Sequence, residues 1–79
     1  MIFVYAIQSE VDKRIYVGMA KKISNRLKQH NRGMTKSTKA FRPWKLIYHE
    51  SCENRIDARK REKYLKSGVG KEFLKSIAP

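Results

Sequence analysis

The chain has a single cysteine, Cys52, which excludes an internal disulfide framework and a cysteine-rich zinc site. A small domain that folds with neither staple is expected in a reducing, intracellular compartment. No apolar run approaches the roughly 20 residues that a membrane-spanning helix needs. The opening MIFVYAIQSE has too short an apolar stretch, and no basic leader, for a secretion signal. A cytoplasmic protein with no membrane role is the expectation. Glycine-rich phosphate loops of the kind nucleotide-binding enzymes use are missing. The two histidines, His30 and His49, and Cys52 follow no recognised metal spacing. Asp12 and Asp57 fall in a predicted turn and a predicted helix cap, so no Ser/His/Asp arrangement is suggested. ATP-driven chemistry and zinc hydrolysis are thereby disfavoured.

Acidic residues are the other scarcity. Nineteen Lys and Arg face only seven Asp and Glu, for a formal net charge of +12 and a pI near 10.2. Residues 1–40 hold nine basic and two acidic groups, and residues 41–79 hold ten and five. The excess is spread through the chain and is not a detachable tail. A folded domain with this balance most often meets a polyanion, nucleic acid before anionic membrane. Residues 1–79 read as one small domain, a size that buries only about 60% of the surface of its unfolded form. Such a domain has one core and a site at its edge. A hydrophobic content of 41% with no long polar tract argues for a folded chain.

Ile2 to Gln8, IFVYAIQ, is short, β-branched and aromatic, the profile of a buried strand. A polar turn, Ser9 to Asp12, separates it from a second apolar run, Lys13 to Met19, so the pair is expected to form a hairpin. From Lys21 to Asn31, Ile23 and Leu27 recur at helical spacing, and Gly33 is placed to end that helix. Met34 to Pro43 is a loop rich in Lys, Ser, Thr and Arg, and Trp44 to Glu50 reads as a third strand. Asn54, with Asp57 three residues on, is a good cap for a second helix through RIDARKREKYLKS. Gly68 is expected to end it. A short third helix, Lys71 to Ile77, is expected to turn Phe73, Leu74 and Ile77 inward. The order β-β-α-β-α-α implies an α/β (α+β) fold, a small three-stranded, mainly antiparallel sheet flanked by helices.

The chain concentrates its chemistry between Tyr16 and His30, YVGMAKKISNRLKQH. At the end of a strand, Tyr16 and Gly18 share one face and Val17 takes the other. On the helix, Arg26 and His30 lie one turn apart, at the rim of the stripe made by Ile23 and Leu27. Tyr5 then lies on the strand next to Tyr16. One carboxylate is oddly placed: Glu62 sits in RKREKYLK among Arg59, Lys60, Arg61, Lys63 and Lys66. Its plain explanation is an i, i+4 ion pair with Lys66. It also follows Ala58 by four residues and precedes Leu65 by three, which places it beside the packed face, where an unpaired acid is costly. A lone carboxylate holding a mostly hydrated Mg²⁺ beside a phosphate would account for that position. Trp44 reads as core or loop anchor, and His49 and Glu50 alternate across a strand and are not expected to form a site. Cys52 reads as inert.

The ordered set resembles the GIY-YIG nuclease superfamily, in particular its small stand-alone bacterial members. It comprises Tyr5 closing Phe3-Val4-Tyr5, then Tyr16-Val17-Gly18 after ten residues, Arg26, His30, and Glu62 in the form A-x-x-x-E. KSTKAFRPWKLIYHE and ARKREKYLKSG are also typical of those short proteins, so the resemblance covers essentially the whole chain. The first triplet departs from the pattern in having Phe3 for Gly, and the second in having Val17 for Ile. The resemblance implies that Tyr16 orients the attacking water or accepts its proton, with Tyr5 in support. It implies that Arg26 binds the scissile phosphate, that His30 hydrogen-bonds within the site, and that Glu62 holds one divalent ion, Mg²⁺ or Mn²⁺. In-line phosphodiester hydrolysis asks the protein for positioning, a proton acceptor and charge stabilisation, and positive surroundings favour a phenolate. Lys36, Lys39, Arg42, Arg59, Lys60 and Lys63 are candidates for further phosphate contacts.

The expectation is therefore a divalent-metal-dependent endonuclease acting on DNA, with RNA not excluded and a homodimer left open. The alternative is a nucleic-acid-binding module on the same scaffold that does not cut.

Overall fold

The computed structural model describes all 79 residues. The elements are β1 (Ile2–Ser9), β2 (Ile15–Ala20), α1 (Ile23–Asn31), a single 3₁₀ turn (Lys39–Phe41), β3 (Trp44–Cys52), α2 (Arg55–Lys66) and α3 (Gly68–Ile77). The sheet has the order β2-β1-β3 with both pairings antiparallel, so the most apolar strand lies in the middle.

Strand alternation divides β1 between two cores. Ile2, Val4 and Ala6 join Val17, Cys52, Ala58, Leu65 and Leu74 beneath α2 and α3. Tyr5 and Ile7 face the other way with Trp44, packed against Ile23 and Leu27 of α1 and against Tyr16. A bulge at Ala6/Ile7 re-aims β3 where it passes β1. Helix α2 is fastened to β3 by Glu50, whose two carboxylate oxygens accept from Arg61 Nε at 2.9 Å and Nη2 at 3.1 Å. Tyr48 adds a hydroxyl bond to the same carboxylate at 3.1 Å. Glu50 is thus a structural acid, and His49 points to the other face, against Phe3.

The caps follow the sequence. Asn54 Oδ1 accepts from the Asp57 amide at 2.9 Å. Gly33, at φ +79°, closes α1 with a Schellman pair: its amide bonds the His30 carbonyl at 3.1 Å, and that of Met34 bonds Gln29 at 3.0 Å.

Three expectations are corrected. Strand β3 runs on to Cys52, because Ser51 and Cys52 pair with Phe3 and Ile2. Gly68 begins α3 and does not merely end α2: Ser67 donates its amide to the Tyr64 carbonyl and accepts on Oγ from the Gly70 amide, so one residue closes one helix and caps the next. Of the expected trio only Leu74 is buried, while Phe73 and Ile77 are 40% and 42% exposed.

Candidate active site

The site is built where β1, β2 and the last turn of α1 meet. In the hairpin register Tyr5 pairs with Gly18, and Ile7 with Tyr16. A Cβ on Gly18 would lie 2.7 Å from the Tyr5 hydroxyl and 3.1 Å from the Tyr16 ring. Glycine is needed there because the buried phenol crosses the space a side chain would fill.

His30 was expected at the rim of the α1 stripe, and the structure buries it completely. The helix ends one residue later, and Asn31 clamps Trp44 with two bonds, Nδ2 to the Trp44 carbonyl at 3.0 Å and the Trp44 amide to Oδ1 at 2.6 Å. That clamp folds the 34–43 loop over the imidazole. Trp44 Nε1 donates to the Thr38 carbonyl at 2.8 Å, which seats Thr38 against His30.

One arrangement of protons satisfies all three contacts of this network. Thr38 Oγ1 donates to the Thr35 carbonyl at 3.3 Å and lies 2.8 Å from His30 Nδ1. In that arrangement the hydroxyl gives its only hydrogen to Thr35 and accepts from Nδ1–H. Nε2 is then the lone-pair nitrogen, and the Tyr5 hydroxyl donates to it at 2.9 Å. The electrostatics agree. Burial, then the charge of Arg26, lowers the His30 pKa and keeps the ring neutral. Burial raises the Tyr5 phenol; Arg26, as donor and as charge, acts against that rise, while Tyr16 and Glu62 add to it. Tyr16 is only half-buried and stacks edge-on against His30, with ring centres 5.1 Å apart.

Arg26 is half-buried and braced by Gln29, whose Oε1 accepts from Nη1 at 2.8 Å. Glu62 comes from α2 on the other side of the sheet and is 6% exposed. Arg59 reaches one of its oxygens at 2.7 Å and Lys66 the other at 3.3 Å, the latter being the i, i+4 pair the spacing implied. No hydrogen bond joins Glu62 to the tyrosines; its charge, felt at Tyr5, is the link.

The remaining candidates disperse. Lys36, Lys39 and Arg42 belong to the loop over His30, all exposed, and Arg42 is tied down by the Lys39 carbonyl at 2.9 Å. Arg59 serves Glu62, whereas Lys60 and Lys63 stand exposed on α2. Thr38 is the residue the sequence reading missed. Nothing in KSTKAF separates it from its neighbours until the loop is folded.

Residues 1–75 match the GIY-YIG catalytic domain, and with this fold and tyrosine pair the chain belongs to the GIY-YIG family. GIY-YIG domains act on nucleic acids, with nuclease-type chemistry that is generally metal-dependent. Within the family, the chain is similar to small bacterial proteins. It is 38% identical over 76 residues to the UPF0213 protein of Staphylococcus aureus strain Mu3, covering 95% of this chain and 92% of that protein. The UPF0213 protein SA0446 of strain N315 matches equally well. The solution NMR structure of the UPF0213 protein BH0048 from Bacillus halodurans matches with a TM-score of 0.57 at 27% identity, covering 98% of this chain and 85% of that one. No helix is long and apolar enough to cross a membrane.

Proposed function

We propose that residues 1–79 act as one divalent-metal-dependent endonuclease unit on DNA, with Tyr5, Tyr16, Arg26, His30 and Glu62 as its site. The observation that carries this reading is the division of labour between the two tyrosines. Tyr5 is buried and spends its hydrogen on a neutral His30, so it is poorly placed to take a proton. Tyr16 is the phenol with access to solvent, and it takes the role of orienting the attacking water or accepting its proton. Arg26, braced by Gln29, binds the scissile phosphate and stabilises the charge that develops there. His30 and Tyr5 hold the frame against which Tyr16 packs.

The donor set fits one hard divalent ion. Glu62 is a buried carboxylate held only by two long cations, Arg59 and Lys66, whose side chains are 60% and 51% exposed and free to yield. No group of three His, Cys, Asp or Glu gathers here. A single carboxylate suits Mg²⁺ or Mn²⁺, because Mg²⁺ keeps several waters and takes one or two protein carboxylates. When bound, the ion supplies charge neutralisation at the phosphate. The same two ion pairs favour a second reading, a DNA-binding module in which Glu62 is purely structural.

A cleavage assay on labelled DNA and RNA panels separates them, with Mg²⁺, Mn²⁺ or EDTA, and with wild type beside Glu62→Ala and Tyr16→Phe. The nuclease reading expects metal-dependent cutting that both substitutions abolish while binding survives. Loss of a general base removes about 10²–10⁴ in rate. Tight binding without cutting across the panel supports the second reading, and wild-type rates in Glu62→Ala would refute the metal site.

A further inference from the structure

The one cleft in the molecule is not over the loop that carries Lys36, Lys39 and Arg42. It has a volume of about 520 Å³ and lies along the free edge of β2, lined by Lys13, Arg14, Lys66, Lys71 and Lys75, with Tyr16 at one side. No carboxylate lines it. Ile15 and Val17 are its apolar lining, and its size is within the range of ligand-binding clefts. Five cations beside an apolar lining make a poor protein core and a good seat for a nucleotide unit, whose phosphates meet the cations and whose sugar and base meet the apolar lining.

The cations come from three places that only the fold unites. The hairpin turn supplies Lys13 and Arg14, the end of α2 supplies Lys66, and α3 supplies Lys71 and Lys75 one helical turn apart, on one face. The turn is held firmly. The Lys13 amide bonds the Ser9 carbonyl at 3.0 Å, and the Arg14 guanidinium lies 3.4 Å over the Phe41 ring. Lys13 sits at φ +67°, a conformation that side chains rarely adopt. Three of the five have carboxylate partners: Arg14 with Asp12, Lys66 with Glu62 and Lys75 with Glu72. Those pairs involve exposed cations, contribute little and can open to a phosphate. Lys13 and Lys71 have none.

We infer that this cleft holds the backbone of the nucleic-acid strand next to the bond being cut, so that the strand runs from Tyr16 along the β2 edge towards α3. The inference rests on the proposed action on nucleic acid and adds a path to it. Lys66 joins the two regions, since it lines the cleft and bonds Glu62.

The test compares Lys71→Gln/Lys75→Gln with Lys36→Gln/Lys39→Gln, which removes the same two charges from the loop. Binding of short fluorescein-labelled single-stranded and duplex DNA is measured by anisotropy across a salt series. Each lost phosphate contact removes roughly 0.7–0.9 from the slope of log K against log salt. The cleft variant is expected to lose about 1.4–1.8 from that slope and on the order of tenfold in affinity, and the loop variant clearly less. Where cleavage is observed, KM rises in the cleft variant and kcat holds, the mark of lost uniform binding. Equal losses in the two variants, or no loss in the cleft variant, would overturn the inference, as would a wild type that binds neither DNA. Binding without cleavage, with the slope lost only in the cleft variant, overturns the nuclease reading and leaves the cleft standing.

Discussion

Gly18 shows how much one missing side chain can organise. The Tyr5 hydroxyl lies only 2.7 Å from where a Cβ would be, and it cannot swing aside, because it is buried and bonded to His30. Overpacking of this kind costs about 1–3 kcal/mol. Gly18→Ala is therefore expected to lower stability by that amount in denaturant unfolding, and to perturb the Tyr5–His30 pair. A variant as stable as wild type would show that Tyr5 has room the structure does not give it. The placing of Tyr5 on the strand beside Tyr16, and of His30 one turn after Arg26, was legible because strand alternation and helix spacing are local properties; their roles came only from the family resemblance. Thr38 was not legible, because its partner is eight residues away and Trp44 seats it from across a loop. The burial of His30 was missed for the same reason: helical phase gives a face, while the lid over that face is tertiary.

Between elements, the junction of α2 and α3 was the part least legible. A glycine after a helical pattern reads as a stop, and Gly68 was read so. Ser67 performs the stop, and Gly70 has the more demanding position. A Cβ there would collide with the Tyr64 carbonyl and lie 2.5 Å from Leu65 Cα, both backbone atoms that cannot move without moving α2. Gly70→Ala is expected to cost at least about 1–3 kcal/mol, although alanine is the better helix former by ~1 kcal/mol. Gly68→Ala, with nothing within 4 Å of the added carbon, should be neutral or stabilising, and comparing their melting temperatures checks the assignment. Equal effects would mean that α3 does not pack as described. The lesson reaches the basic cleft too. Lys13 and Lys71 are separated by most of the chain, and only the antiparallel return and this tight junction bring them to one edge.

At the scale of the whole molecule, the +12 charge favours polyanions near the surface, but it does not say how stability follows pH near neutrality. His30 does. Burial and Arg26 lower its pKa in the folded state, while an unfolded chain titrates it at about 6.5. Below about pH 6.5 the unfolded state binds a proton that the native state refuses, so stability falls with pH. The contribution is full above pH 6.5 and is lost as pH falls from there towards the lowered folded value. Wild type is therefore expected to melt at a lower temperature at pH 5.5 than at pH 7.5, a range well above ordinary carboxylate titration. His30→Gln, which keeps a polar group for Tyr5 and Thr38 but cannot titrate, should be less stable at pH 7.5 and should lose less on acidification. If both proteins show the same drop, the imidazole is not held neutral in the fold. The frame proposed for Tyr16 would then need another explanation, because a charged His30 would donate from Nε2 and could not accept the Tyr5 hydrogen.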